Sequence, residues 1–439
     1  MISLKNNKMR WLISGVFSLL ILFGTYRNVF SLAAFLGCCL MIFFFDKESI
    51  LVQMVFIMPL ANIFKLSPGT QSFFTILLLL YVVLHLVLPR KATTLAILFA
   101  VYVIVGELLG GQFNTTRTIK LICNILFLSS IMNGKVDLSH KDVFLSYIVG
   151  NYVASFLGTL NSNFFKIKAY TGVEAFTNEG LGEDAERFIG LHSDPNFYAV
   201  NVIVSLCLVI LLLHRNEIKT LTALIFSVPF AYFLIQTYSK SAIIMAFVPI
   251  ILVIYSFICK KKYIAVLVIM MALLIIVMLV LSGQIEPINV IIDRFMASET
   301  AEGGVDINSL TTGRFQLWVN YLEYIVKNIK VILFGDGIAA DMIGGRVSHN
   351  TYIDIIYHLG IVGGVLFITL LGLILSQSAK QKIKRNILNY SVLFSVGVMY
   401  FFLGELFGYD LPFHIYLAFF ALNTPFENVA SFKQNQSAV

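Results

Sequence analysis

Charge is scarce in this chain. Only 13% of its 439 residues are Asp, Glu, Lys or Arg, where soluble domains carry about 25%. Proline is also rare at 9 residues, tryptophan occurs twice and cysteine five times. With 58% hydrophobic residues and a mean hydropathy of +0.87, the shortage of charge excludes a water-soluble globule. The cysteines (Cys38, Cys39, Cys123, Cys207, Cys259) fall in or at the ends of apolar stretches and form no C-x-x-C, so neither a zinc site nor a disulfide framework is signalled. A P-loop, a dinucleotide fingerprint, a D-x-D and an H-E-x-x-H are missing, which leaves no signal for nucleotide or metal chemistry. The net charge of +7 is spread over many short segments without interleaved aromatics, which argues against nucleic acid as a partner.

What the chain does have is a succession of apolar runs. They cover about 11–23, 29–45, 50–64, 73–88, 93–109, 119–132, 143–160, 197–213, 220–236, 242–259, 263–281, 352–375, 391–404 and 412–425, several of them shorter than the roughly 20 residues of a full crossing. The fold expected is all-α, a polytopic integral membrane protein with about 14 transmembrane helices. Lys5, Lys8 and Arg10 before Trp11–Phe23 resemble a secretory signal, but no A-x-A site follows, so the segment reads as a retained first span. Alternate loops hold about 18 Lys and Arg residues on one side and, among the short loops, about 5 on the other. That asymmetry places both termini in the cytoplasm and the two long polar segments, 161–196 and 282–350, on the outer face. Three regions follow: an N-terminal bundle of about eleven spans over 1–281, a large outer loop over 282–350, and C-terminal spans with a short cytoplasmic tail over 351–439.

The larger loop has substructure of its own. Glu286–Met296 reads as a short amphipathic helix and Ser298–Thr312 as a Gly/Ser/Thr-rich turn region. Arg314–Lys327 presents Phe315, Trp318, Leu322 and Ile325 at helical spacing, as a helix lying on a membrane surface does.

His349-Asn350 stands at the mouth of the run 352–375, with Gly360 and Gly363 following. On an ideal helix Gly360 lies about 20° from His349 around the axis and Gly363 about 40° to the other side. One stripe would then carry a titratable base and two positions open to close approach by a helix or a lipid-like ligand. Asn350 is the expected N-cap. The helix N-terminus disfavours imidazolium, leaving a neutral His349 able to take a proton from a hydroxyl. The bland alternative is an interfacial histidine with no role.

Arg187, Lys240, Arg314 and Arg346, with Arg117 as a weaker member, gather cations on the outer side, where loops normally avoid them. A diphosphate ligand accounts for the group, since guanidinium forks bind phosphate oxygens two at a time. Taken singly, each is equally an ordinary loop cation, solvated or paired with Glu183, Asp184, Glu186 or Glu323. Glu107, Asp354, His358, Glu405 and His414 lie within or at the ends of spans, where ionisable groups are costly. Asp354 and His358 are spaced i,i+4 and read most simply as a helix-surface pair.

Together these segments resemble the O-antigen ligase/polymerase superfamily of bacterial membrane glycosyltransferases. His349-Asn350-x9-Gly360-x-x-Gly363 is similar to its hallmark segment. Gly313-Arg314 with Trp318, and Phe334-Gly335-Asp336-Gly337, resemble its Gly-Arg…Trp and Gly-x-Gly elements. Arg187-Phe188-Ile189-Gly190 with Asp194-Pro195-Asn196 resembles its Arg-x-x-Gly…Asp-Pro-Asn segment. The motif likeness covers about 185–365. It departs at Ser239-Lys240-Ser241, where many members carry Ser-Arg; lysine keeps the charge but not the fork.

The resemblance implies a cofactor-free, metal-independent glycosyl transfer from a polyprenyl-diphosphate-linked oligosaccharide at the outer face of a bacterial plasma membrane. His349 and Arg314 would be catalytic. Arg187, Lys240, Arg346, Asp194, Asn196 and Asn350 would bind substrate, with Trp318 and Tyr321 as sugar platforms and the groove beside Gly360 and Gly363 admitting the polyprenyl tail. The bilayer is a partner in this reading, and a chain-length regulator and a flippase are the protein partners it admits. A repeat-unit polymerase is preferred, from the Asp194-Pro195-Asn196 segment and the span count. A ligase that moves finished glycan to lipid A core or another acceptor shares the motifs. A flippase fits less well, because no internal repeat is found and mid-span polar residues are few. A non-catalytic scaffold predicts that His349→Ala is silent.

Overall fold

A computed structural model of the chain describes residues 7–85, 90–110, 114–131, 139–172, 187–261, 263, 271, 311, 313–378, 387–404, 406, 408 and 410–423. Among them the chain is all-helical, and the β pairing is limited to an isolated bridge between Lys65 and Ser72. The N-terminal helices are α1 (Asn7–Gly24), α2 (Asn28–Phe44), α3 (Lys47–Ile57), α4 (Phe73–His85), α5 (Arg90–Gly110), α6 (Thr115–Ile131), α7 (His140–Gly158) and the short α8 (Ile167–Thr171). There follow α9 (Pro195–His214), α10 (Thr220–Gln236) and α11 (Lys240–Cys259), then α12 (Arg314–Lys327), α13 (Ile329–Phe334), α14 (Thr351–Ser378), α15 (Ile387–Met399) and α16 (Asp410–Asn423).

Helix α9 is the hub. Asp194 caps it by accepting the N–H of Asn196, and Pro195 occupies its first turn, where a missing N–H costs nothing. Every residue from Tyr198 to Leu212 is buried, as expected for a helix apolar on all sides. It packs against α7, α10, α11 and α15. This core also takes in α1 to α4 and α16; a second cluster joins α5, α6 and α14, and a third joins α12, α13 and α14. Of the cysteines, Cys38, Cys123 and Cys207 are buried, Cys39 is half-buried and Cys259 is exposed, all as free thiols.

Among the described residues, three helices are long and apolar enough to cross a membrane: Pro195–His214, Lys240–Cys259 and Thr351–Leu373. Five shorter apolar helices accompany them, at Asn28–Phe44, Phe73–His85, Thr94–Leu109, Thr220–Gln236 and Ile387–Met399. The expected count of about fourteen transmembrane helices is therefore not supported among the described residues. One cause is local: the run 50–64 stops being α-helical at Ile57 and passes into a 3-10 turn at Met58–Leu60. Pro59 in that turn has no N–H for a continuing helix. The run 263–281, except Tyr263 and Met271, lies outside the described residues, as do Glu286–Met296 and, except Thr311, Ser298–Thr312.

The expected helix over Arg314–Lys327 is present as α12, but its inward face differs from the expected one. Leu317, Tyr321 and Ile325 are buried with Trp318 packed beside them, while Phe315 and Leu322 point outward at 42% and 45% exposure. The cause is that α12 rests on α13 and α14 rather than lying alone, so its buried stripe is rotated towards those helices.

Candidate functional site

The site is assembled from helix beginnings. Gly313 precedes α12 in the left-handed region (φ +78°) and Arg314 is the first residue of the helix. Asn350 caps α14: its side-chain oxygen accepts the N–H groups of Tyr352 (3.0 Å) and Ile353 (3.2 Å). Ser239 caps α11 by accepting the N–H of Ala242, with Lys240 the first helical residue. Asp194 does the same for α9. Each helix start carries a partial positive charge.

His349 sits between Ser348 and the capping Asn350 with φ +51°, a conformation unusual for a residue with a side chain. The turn is held from both sides. Ser348 accepts the N–H of Asn350 at 3.0 Å and donates to Asp354 at 2.5 Å, and the indole N–H of Trp318 donates to the Ser348 carbonyl at 3.0 Å. The segment after α15 closes the third side. Arg314 donates to the carbonyl of Phe402 (3.0 Å), while the N–H of Thr351 bonds the carbonyl of Tyr400 (3.0 Å) and its hydroxyl that of Leu403 (2.5 Å). A Cβ at Gly404 would lie 2.6 Å from the Asp354 carboxylate and 3.4 Å from the His349 nitrogen, so only glycine lets this segment approach so closely.

His349 is half-buried, and burial is the main force pushing its pKa below the usual 6.5. The nearby cations Arg314 and Arg346 act in the same direction, and the Asp194 carboxylate opposes them. A neutral imidazole is the outcome. Arg314, Arg346 and Asp194 thus lie near enough to act on the charge of His349. Asp194 accepts both the backbone and the side-chain N–H of Asn196, and Asn196 accepts from Ser239 at 2.5 Å, which ties the start of α9 to that of α11 and Lys240. Arg187 donates to the carbonyl of Thr237 (2.9 Å) and so borders the same α10–α11 turn. Arg117 is elsewhere, on the carbonyl of Ile338.

Several expected roles change. Gly360 and His349 do not share a continuous helical stripe, because Gly360 breaks α14 with φ +61° and ψ −175°. A Cβ there would lie 2.5 Å from the backbone of Leu333 and also strike the Gly335 nitrogen, and a Cβ at Gly363 would strike the Tyr102 ring. The groove expected to admit a polyprenyl tail is therefore filled by α13 and by Tyr102, whose hydroxyl reaches the carbonyls of Phe334 and Leu359. Tyr321 is 2% exposed, with its hydroxyl donating to the Arg346 carbonyl at 2.8 Å, so it positions a loop and offers no face to a sugar. Trp318 is half-buried against Phe401. Asp354 and His358 do not pair with one another: Asp354 accepts from Ser348, while His358 bonds the Gly337 carbonyl at 2.7 Å. Glu183, Asp184, Glu186 and Glu405 lie outside the described residues, and Glu323 pairs with Lys327 at 3.1 Å.

Sequence reading missed Ser348, Thr351 and the carbonyls of Tyr400, Phe402 and Leu403. Ser348 carried a weak signal, a small hydroxyl beside the His-Asn pair. Among the described residues no group of three His, Cys, Asp or Glu side chains is arranged to hold a metal ion.

What these observations define is a class: an all-helical protein with helices apolar enough for a bilayer, carrying a neutral histidine among arginines at a meeting of helix starts. No known family model matches the chain, and no curated protein matches it.

Proposed function

We propose that the protein is a membrane glycosyltransferase that polymerises polyprenyl-diphosphate-linked oligosaccharide repeat units into a surface polysaccharide. In this reading α1 to α7, α9 to α11 and α14 to α16, with the apolar run 263–281, lie in the bilayer of a bacterial plasma membrane. The chain then crosses about fourteen times, with both termini cytoplasmic and the His349 site on the outer face.

The supporting observation is His349 itself, kept neutral by burial and by Arg314 and Arg346. A neutral imidazole accepts the proton of the acceptor sugar hydroxyl as its oxygen forms a new bond to the anomeric carbon of the donor. The bond from that carbon to the diphosphate oxygen breaks, and its electron pair leaves with the polyprenyl diphosphate. Arg314 and Arg346, fixed near His349 before the reaction, stabilise the charge that develops there. The starts of α9, α11, α12 and α14 add partial positive charge of the same sign. Arg187 and Lys240 extend the cationic surface along the neighbouring turn. Asn350 keeps the base at the helix start.

The test is reconstitution. Purified protein in liposomes with lipid-linked repeat units, in excess chelator, should convert them to a ladder of longer lipid-linked chains. Wild-type protein leaving only single units would overturn the polymerase reading. Transfer of preformed chains to lipid A core, without extension, would instead mark a ligase.

A further inference from the structure

A cavity with a polar lining lies away from His349. It encloses about 320 Å³ between Gly106 and Glu107 of α5, Tyr324 of α12, Tyr357 of α14 and the loop from Asp336 to Ile343. That is the small end of the range for ligand sites. Its lining carries the carboxyl groups of Glu107, Asp336 and Asp341, with Arg117 bonded to the Ile338 carbonyl of the same loop. Glu107 is committed to the wall, with its two oxygens accepting the N–H groups of Asn114 and Ala339. Asp336 accepts the Tyr324 hydroxyl at 2.9 Å on one oxygen, and its other oxygen remains for a ligand. The carbonyl of Asp341 takes the Tyr357 hydroxyl at 2.7 Å, which leaves its exposed carboxylate at the rim. Tyr324 packs edge-on against Tyr357, their centroids 5.9 Å apart, and is itself 37% exposed, so an aromatic ring stands at the opening.

We infer that this cavity holds neutral, hydroxyl-rich sugar units of a glycan chain. The inference rests on the glycosyltransferase reading and extends it. Carboxylate oxygens accept hydrogen bonds from sugar hydroxyls, while a tyrosine ring covers the apolar face of a pyranose. Two available carboxylates repel a diphosphate or a sugar acid, so anionic groups are left to Arg314 and Arg346. One loop joins the two places. Met342 and Ile343 wall the cavity, and three residues on, Arg346 is held by Tyr321, whose hydroxyl donates to the Arg346 carbonyl and accepts the Ile343 N–H at 3.3 Å. The same loop thus lines the cavity at Met342 and Ile343 and carries Arg346 three residues on.

The experiment is direct binding to full-length protein in nanodiscs, with oligosaccharides released by mild acid from the host's own surface polysaccharide as the probe. Tyr324→Ala and Asp341→Asn should each weaken binding about tenfold, the worth of one charge-assisted hydrogen bond or one ring face. Glu323→Gln, which removes a carboxylate from the same helix outside the cavity, should bind as wild type does. Inorganic pyrophosphate should not displace the probe. Equal binding by wild type, Tyr324→Ala and Asp341→Asn, no binding by wild type, or displacement by pyrophosphate would each overturn the inference. The parent reading fails separately: cavity-dependent binding alongside a normal polysaccharide in cells lacking the gene would leave the glycan site standing and remove the polymerase.

Discussion

The indole nitrogen of Trp318 donates a 3.0 Å hydrogen bond to the carbonyl of Ser348, one residue before the left-handed His349. Trp318 lies one turn along α12 from Arg314, so this bond ties the helix that begins at Arg314 to the turn that carries His349. Trp318→Phe keeps most of the packing against Phe401 and removes the bond. The expected loss is about 1 kcal/mol of stability, with a larger fall in polymer yield than that loss explains. Thermal unfolding and ladder assays on the same preparation check it.

The ionisation of His349 sets the acid side of the activity profile. Its pKa is depressed, so the active neutral form persists below pH 6.5 and is lost only as pH falls through the lowered value. Arg314→Gln removes a cation that lowers the pKa and should move the acid limb to higher pH, along with its loss of rate. Asp194→Asn removes the opposing carboxylate and should move the limb to lower pH. Initial rates in proteoliposomes across pH 4 to 8 would show the two limbs moving in opposite directions (about one unit or less each), and shifts of the same sign would contradict the placement of these groups.

Asn350 separates capping from charge. Asn350→Ala removes the acceptor for the Tyr352 and Ile353 N–H groups and should cost about 0.5–2 kcal/mol. Asn350→Asp keeps the cap, but its carboxylate beside His349 should raise the imidazole pKa and shift the acid limb upward. Unfolding curves and pH profiles of both variants distinguish the two effects.

Gly360 tests the backbone account of the glycine pair. Its φ of +61° and ψ of −175° belong to a region used almost only by glycine. A Cβ there would also meet the Leu333 and Gly335 backbone, whereas at Gly363, where the backbone is helical, it would meet side-chain atoms, the Tyr102 ring and the Leu359 Cβ. Gly360→Ala should therefore destabilise by several kcal/mol and Gly363→Ala by much less. Fluorescence-detected size-exclusion of the two variants after a heat step reads the order. Equal damage would mean that the α13 contact is not what constrains Gly360.

These residues also mark what the sequence could and could not reveal. The bounds of α12 and the cap at Asn350 were legible because helix periodicity and capping chemistry are local. The association of His349 with Arg314 and Arg346 was legible as chemistry, since a base and cations recur in one polar region. Gly360 was misread because its reason is a backbone more than twenty residues upstream, which no spacing rule contains. Tyr321 was misread because the buried width of α12 depends on what packs beneath it. The carbonyls of Tyr400, Phe402 and Leu403 were illegible in principle, since every residue carries the same carbonyl. The span count suffered from a related limit: an apolar run such as 50–64 is continuous in hydropathy, yet the helix within it ends at Ile57.

The most direct measurement is the glycan profile of cells lacking the gene, complemented with wild-type protein or with His349→Ala, both verified as inserted and expressed at equal level. The expected result is single repeat units in the deletion strain, a full ladder with wild type, and single units again with His349→Ala. A full ladder with His349→Ala would contradict the role of the histidine. Long chains on the polyprenyl carrier in the deletion strain that never reach their final acceptor would replace the polymerase with a ligase.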